Sequence, residues 1–139
     1  MYNPISIIRR SEQNYLRSRV EEYNIHPIGA LALSLIGRAG ECNQDSLCME
    51  MNVDKGRIAK TVACLEENGY LARQVNPHNK REKQLHLTEK GQEMAQIVKQ
   101  IFNDWNEICF SGFTPEEKNQ YMAYVERIAH NAANNRKEF

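Results

Sequence analysis

The sequence lacks net charge, long apolar runs and any patterned cysteine. Eighteen Lys and Arg balance eighteen Asp and Glu, which excludes a chain that binds its partner by bulk charge alone, although a neutral total can hide one basic face. Gly and Pro number 7 and 4 in 139 residues, too few for a fibrous or disordered chain. The longest nearly apolar stretch, Ile28 to Gly37, is about half of the roughly 20 residues a membrane span needs. Arg9 and Arg10 are followed by no apolar stretch, so no export signal is expected and the chain is read as cytoplasmic. Cys42, Cys48, Cys64 and Cys109 form no C-x-x-C pair, and none has a His at ligand spacing. No metal site and no cofactor are expected, and the cysteines are read as free thiols, mostly small buried apolar side chains. His26, His78, His86 and His130 are scattered. No paired carboxylates, nucleophile–base spacing or phosphate loop is present, which argues against an enzyme.

What is present is about one domain's length with an uneven distribution of charge. Residues 1–41 carry five basic and four acidic side chains, and residues 84–139 carry six and eight. Between them, residues 55–83 carry seven basic side chains against three acidic, a basic centre between two arms.

The arms read as helices. Ile8, Tyr15, Leu16, Val20 and Tyr23 recur at helical spacing from about Pro4 to Tyr23. Pro27 opens a second helix that is apolar nearly all round, hence buried, and Gly40 stops it. Thr88 caps a long helix from about Glu89 to Phe110, striped by Met94, Val98, Ile101, Trp105 and Ile108. Thr114-Pro115-Glu116-Glu117 starts a last helix with a capping box, followed by Tyr121, Val125, Ile128 and Ala132. These two stripes exceed what one small lobe can cover, and a second copy of the chain is expected to cover most of them.

The centre reads as two short helices in close succession. Asn43 caps the first, with Leu47, Cys48 and Met51 on its apolar side; Asn52 supplies a tight stop; Asp54 caps the next, Lys55 to Asn68, which ends at Gly69. A helix, a turn of about three residues and a second helix is a helix-turn-helix arrangement. The period then changes to two, with Leu71 and Val75 on one strand and Leu85 and Leu87 on another. Asn76-Pro77-His78-Asn79 forms the turn between them, and Lys80, Arg81 and Lys83 make the hairpin's end basic. At 100° per residue, Ile58, Thr61, Val62 and Leu65 share the inner face of the second short helix. Gly56, Arg57, Ala59 and Lys60 begin the outer one. Small residues let a helix sit deep in a major groove, and long cations reach guanine edges or phosphates.

Leu47 through Lys55, Leu65 through Arg73, Asn76-Pro77-His78-Asn79-Lys80-Arg81 and Leu87-Thr88-Glu89-Lys90-Gly91 together resemble the MarR family of prokaryotic transcription regulators. The resemblance covers nearly the whole chain. It implies a mostly α fold with a small β-hairpin wing, a single domain over 1–139. Within it, N-terminal helices would span 4–40, a winged helix-turn-helix 43–88 and C-terminal dimerisation helices 89–136. It further implies a homodimer that binds a pseudo-palindromic operator in double-stranded DNA, commonly as a repressor, and is released by a small anionic or aromatic effector. By position, Lys55, Gly56, Arg57, Lys60 and Thr61 would face the major groove, and Lys80 and Arg81, with Lys83 beside them, the wing contact. Tyr15, Arg19, Tyr23 and His26 lie near the effector cleft that the family implies. The chain departs from the family pattern at Gly56 and Arg57, where Ser or Thr is usual, and at Asn79, where Asp is usual. It has no Cys before Cys42, which argues against oxidant sensing through the first helix. The alternative reading is a winged-helix dimer used for protein contacts; the seven central cations count against it, since such faces are depleted of Lys.

Overall fold

Asn3 accepts hydrogen bonds from the backbone N–H groups of Ile5 and Ser6, and Pro4 occupies the first helical position, so the chain enters its first helix at once. The structure, a computed structural model, describes residues 2–135, without the side chains of Lys80 and Glu82. The expected boundary at residue 136 and the Lys80 side chain lie outside the described residues. The order is α1 (Pro4–Val20), α2 (Pro27–Ala39), α3 (Gln44–Met51), α4 (Lys55–Glu67), β1 (Leu71–Asn76), β2 (Asn79–Leu87), α5 (Glu89–Cys109) and α6 (Pro115–Asn134). The fold is mostly α with one antiparallel hairpin.

The first periodic run divides in two. It was expected to be helical to Tyr23, but α1 stops at Val20, a 3-10 turn spans Glu21–Tyr23, and Asn24 takes the left-handed conformation at φ 57°. The turn lets Ile25 and Pro27 point into the same core as Leu16 and Val20. Leu33 and Ile36 of α2, Leu47 of α3, Ile58, Val62 and Leu65 of α4, and Leu71 and Leu85 of the hairpin join that core. The apolar α2 is buried along most of its length, as its sequence required.

The hairpin pairs Leu71 with Leu87, Arg73 with Leu85 and Val75 with Lys83, and the register slips between Val75 and Asn76. Leu71 and Leu87 are buried, whereas Val75 is 51% exposed. The strands leave the core after Arg73, so alternation persists with nothing left to bury.

By compactness the chain divides into two units, Met1–Trp105 and Asn106–Phe139. In the first, the α5 stripe corrects the expectation that a partner covers most of it: Met94, Val98 and Ile101 are buried in this chain's own core. In the second, Thr114 and Glu117 close a capping box at the start of α6, and Phe110 packs edge-on against Phe113 and Tyr121. No described residue of α6 is buried. The cysteines also depart from expectation. Cys42 and Cys48 are half-buried, with burial pushing the Cys42 thiol pKa up, while Cys64 and Cys109 are exposed. Cys64 stands on the face of its helix opposite Ile58, Val62 and Leu65, where spacing outweighs the apolar character of the side chain.

Candidate nucleic-acid interface

Local hydrogen bonds set the two helices of the central motif. Asn43 accepts from the Ser46 N–H at 2.8 Å and starts α3. Asn52 stops it at φ 54°, and Asp54 accepts from the Arg57 N–H at 2.9 Å to start α4. Leu47 anchors α3 and Ile58, Val62 and Leu65 anchor α4, all four being buried. Since those three fix the inner face, Gly56, Arg57, Ala59, Lys60, Ala63 and Cys64 stand exposed on the other side.

The five expected groove residues occupy different situations on α4. Gly56, Arg57 and Lys60 are exposed. Lys55 lies 3.8 Å from Asp45 of α3, and because both side chains are largely in water this pair costs little to break. Thr61 is half-buried at the edge of the face, and its hydroxyl donates to the Arg57 carbonyl at 2.9 Å.

In the hairpin, Asn76 accepts from the His78 N–H and Asn79 from the Arg81 N–H at 3.1 Å. Asn79 therefore holds the backbone of Arg81. A carboxylate oxygen would serve the same acceptor role, so the departure from Asp leaves this turn intact. A cleft of about 650 Å³ lies between the start of α3 and the hairpin, lined by Asn43, Gln44, Asp45, Arg73, Asn79, Arg81 and Lys83. Arg81 and Lys83 are exposed at its edge.

Arg73 was not among the expected site residues. It donates from Nη1 to Gln44 Oε1 at 3.2 Å, and its Nε lies 3.3 Å from Glu66 Oε2, close enough for attraction but poorly aligned for a hydrogen bond. It thereby ties β1 to both α3 and α4. The available signal was strand alternation, which puts an Arg between Leu71 and Val75 on the inward face, where a charge needs partners.

The four expected effector residues do not all come together. Arg19 donates to the Tyr15 hydroxyl at 2.6 Å and to Asp104 at 3.2 Å, and the Tyr15 ring packs on Trp105 at 5.1 Å. The bond to Asp104 raises the Arg19 pKa further, while donors from Gln100 and then Arg19 hold the Asp104 carboxyl below the usual carboxylate range. Tyr23 is half-buried, and its carbonyl accepts from the Tyr70 hydroxyl at 3.4 Å. His26 is exposed and caps α2, accepting from the Ile28 N–H. None of the four lines the cleft beside the hairpin.

Among the described residues no three His, Cys, Asp or Glu side chains converge as metal ligands, and no helix is long and apolar enough to cross a membrane. The sequence model of the MarR family matches residues 30–83, from within α2 into the second strand of the hairpin. The HTH-type transcriptional regulator BilQ of Clostridioides difficile (strain CD3) is 32% identical over 85 residues, 61% of this chain and 57% of that protein, so the match spans less than two thirds of that relative's length. The crystal structure of a MarR transcriptional regulator from Methanosarcina mazei Go1 superimposes with a TM-score of 0.87 at 30% identity, covering 94% of each chain. A MarR family regulator from Listeria monocytogenes, complexed with 26mer DNA, shares the fold at a TM-score of 0.91 and 24% identity, covering 97% of this chain and 92% of that one. Identity of 30% across nearly the full length of a solved MarR regulator, with the family's own pattern on the helix-turn-helix and hairpin, shows that this chain belongs to the MarR family.

Proposed function

We propose that this chain is a homodimeric transcriptional repressor that binds a pseudo-palindromic operator in duplex DNA. The observation that carries the reading is the division of α4. Ile58, Val62 and Leu65 are buried, and the opposite side presents Gly56 and Ala59 beside the exposed cations Arg57 and Lys60. Small side chains allow close approach to a groove floor, and the cations supply base-edge and phosphate contacts. Arg81 and Lys83 of the hairpin then meet the backbone or the adjacent minor groove. Lys80 joins them by sequence position.

Apolar residues left uncovered support the dimer. In the first unit, Ile5 and Ile8 of α1 are 66% and 45% exposed; in the second, Ile128 of α6 is 64% exposed. Helices with wet Ile and Tyr stripes mark an interface, and a second copy presents matching ones. An anionic or aromatic effector would act near Tyr15 and Arg19, with Tyr23 and His26 toward the α1–α2 junction.

Purified chain titrated with duplex DNA at two salt concentrations tests the reading. Binding that weakens steeply with salt, and that retains preference for duplexes selected from a random pool, is the expected result. No duplex binding, with capture of a protein partner instead, would favour the protein-contact alternative.

A further inference from the structure

The end of α4 opposite its reading face is held from outside the helix-turn-helix. A helix leaves its last carbonyls without intrahelical partners. Here Gly69, at φ 80°, turns the chain so that the Tyr70 N–H reaches back to the Leu65 carbonyl at 2.9 Å. The three carbonyls of the turn that follows α4, Asn68, Gly69 and Tyr70, are then taken by residues at the start of α5. Asn68 accepts from Lys90 Nζ at 2.7 Å, Gly69 from the Thr88 hydroxyl at 2.6 Å, and Tyr70 from the Thr88 N–H at 3.1 Å. The Lys90 ammonium also lies 4.5 Å above the Tyr70 ring, and Gly91 packs so close that a Cβ there would overlap the Tyr70 carbonyl. Thr88, Lys90 and Gly91 thus form one clasp on Asn68-Gly69-Tyr70.

We infer that Lys90 is a positioning residue for DNA recognition, acting through the Asn68–Tyr70 turn to fix the tilt of α4. The inference rests on the DNA-binding reading above. Arg57 stands eleven residues before Asn68, or about 16 Å along the axis. A tilt of about 10° at the clasp would move the reading end by about 3 Å, well beyond the roughly 0.5 Å that a directional contact tolerates. The apolar inner face alone gives no directional hold, because such contacts are non-directional. Contacts with phosphate by long flexible cations survive such a shift; bidentate base contacts do not. Loosening the clasp therefore lowers discrimination more than total affinity.

The test compares wild type with Lys90→Met, which keeps an apolar stem over Tyr70 but loses the donor and the charge, and with Lys90→Arg, which retains both. Lys90→Gln, with a shorter donor, repeats the measurement should Met perturb folding, which melting curves report. Affinity is measured on duplexes the wild type selects from a random pool and on random duplex, across salt concentrations. Lys90→Met is expected to lose about five- to tenfold on selected duplexes, with random-duplex affinity and salt slope unchanged, and Lys90→Arg to recover most of the loss. Equal losses on both duplexes, with a slope flattened by about 2 for the dimer, would make Lys90 a direct phosphate contact and overturn the inference. An unchanged ratio in a discriminating wild type, or no recovery by Arg, would overturn it too. A wild type with no preference among duplexes would remove the DNA-recognition reading and the inference together.

Discussion

Changing Arg81 and Lys83 together to Ala removes both exposed cations described on β2 from the cleft they line with Arg73. Their exposed side chains leave the core untouched, so the fold is expected to survive. Arg73, the third cation of the cleft, is tethered by Gln44 and Glu66 and stays in place. If each of the two meets one phosphate, a dimer loses four such contacts. At about −0.9 per phosphate, the slope of log affinity against log salt flattens by about 3 to 4 units. Between about 50 and about 200 mM salt, wild type should then lose roughly a hundredfold more affinity than the variant. The loss at low salt should be alike on every sequence. Fluorescence anisotropy with labelled duplex, repeated across salt concentrations, reads both quantities. An unchanged slope would take the hairpin out of the DNA contact. If Arg81 instead enters a minor groove, its single Ala variant should lose most on A·T-rich flanks, where that groove is narrow. The hold of Asn79 on the Arg81 backbone, rather than on its guanidinium, favours the phosphate role.

Two further outcomes test the assembly and the α1–α5 contact. Ile128→Glu, on the exposed face of α6, should turn a dimer into monomer or aggregate in sedimentation, and a wild type that sediments as a stable monomer at micromolar concentration would sink the dimer. Asp104 has its carboxyl pKa lowered from an ordinary 3.8, so its stabilising contribution is present above that value and lost as pH falls through the lower folded value. Asp104→Asn should melt below wild type at neutral pH, with the gap closing at acid pH; a gap independent of pH would show that the carboxylate charge is not what Arg19 and Gln100 hold.

Elements governed by short-range chemistry were legible from the sequence. Asn43, Asp54 and Thr114 each cap a helix because donor and acceptor lie within three residues. The outward face of α4 followed from its 3.6-residue period, since Ile58, Val62 and Leu65 leave only one side to bury. What periodicity could not give was which stripe meets which surface. Met94, Val98 and Ile101 form the same pattern as Ile108, yet the first three are covered within the chain and Ile108 is exposed. Arg73, Lys90 and Asp104 were missed because each has a partner far away in sequence that ties separate elements: Gln44 and Arg19 are 29 and 85 residues distant, and the carbonyl that Lys90 caps is 22 away. Such pairings depend on tertiary packing and leave no local mark beyond a charge in an unexpected place.

The central claim is that α4 reads bases through its first turn, and Arg57→Ala tests it most directly. Duplexes selected by the wild type from a random pool supply the operator, and random duplex supplies the reference. Isothermal or anisotropy titration of both proteins on both duplexes, at one fixed salt concentration, gives four affinities. Loss of about 1–3 kcal/mol on the selected duplex, with relaxed preference at one position per half-site and little change on random duplex, is the expected result. Equal losses on the two duplexes would reduce Arg57 to a phosphate contact, and no loss on either would place the DNA-binding surface somewhere other than α4.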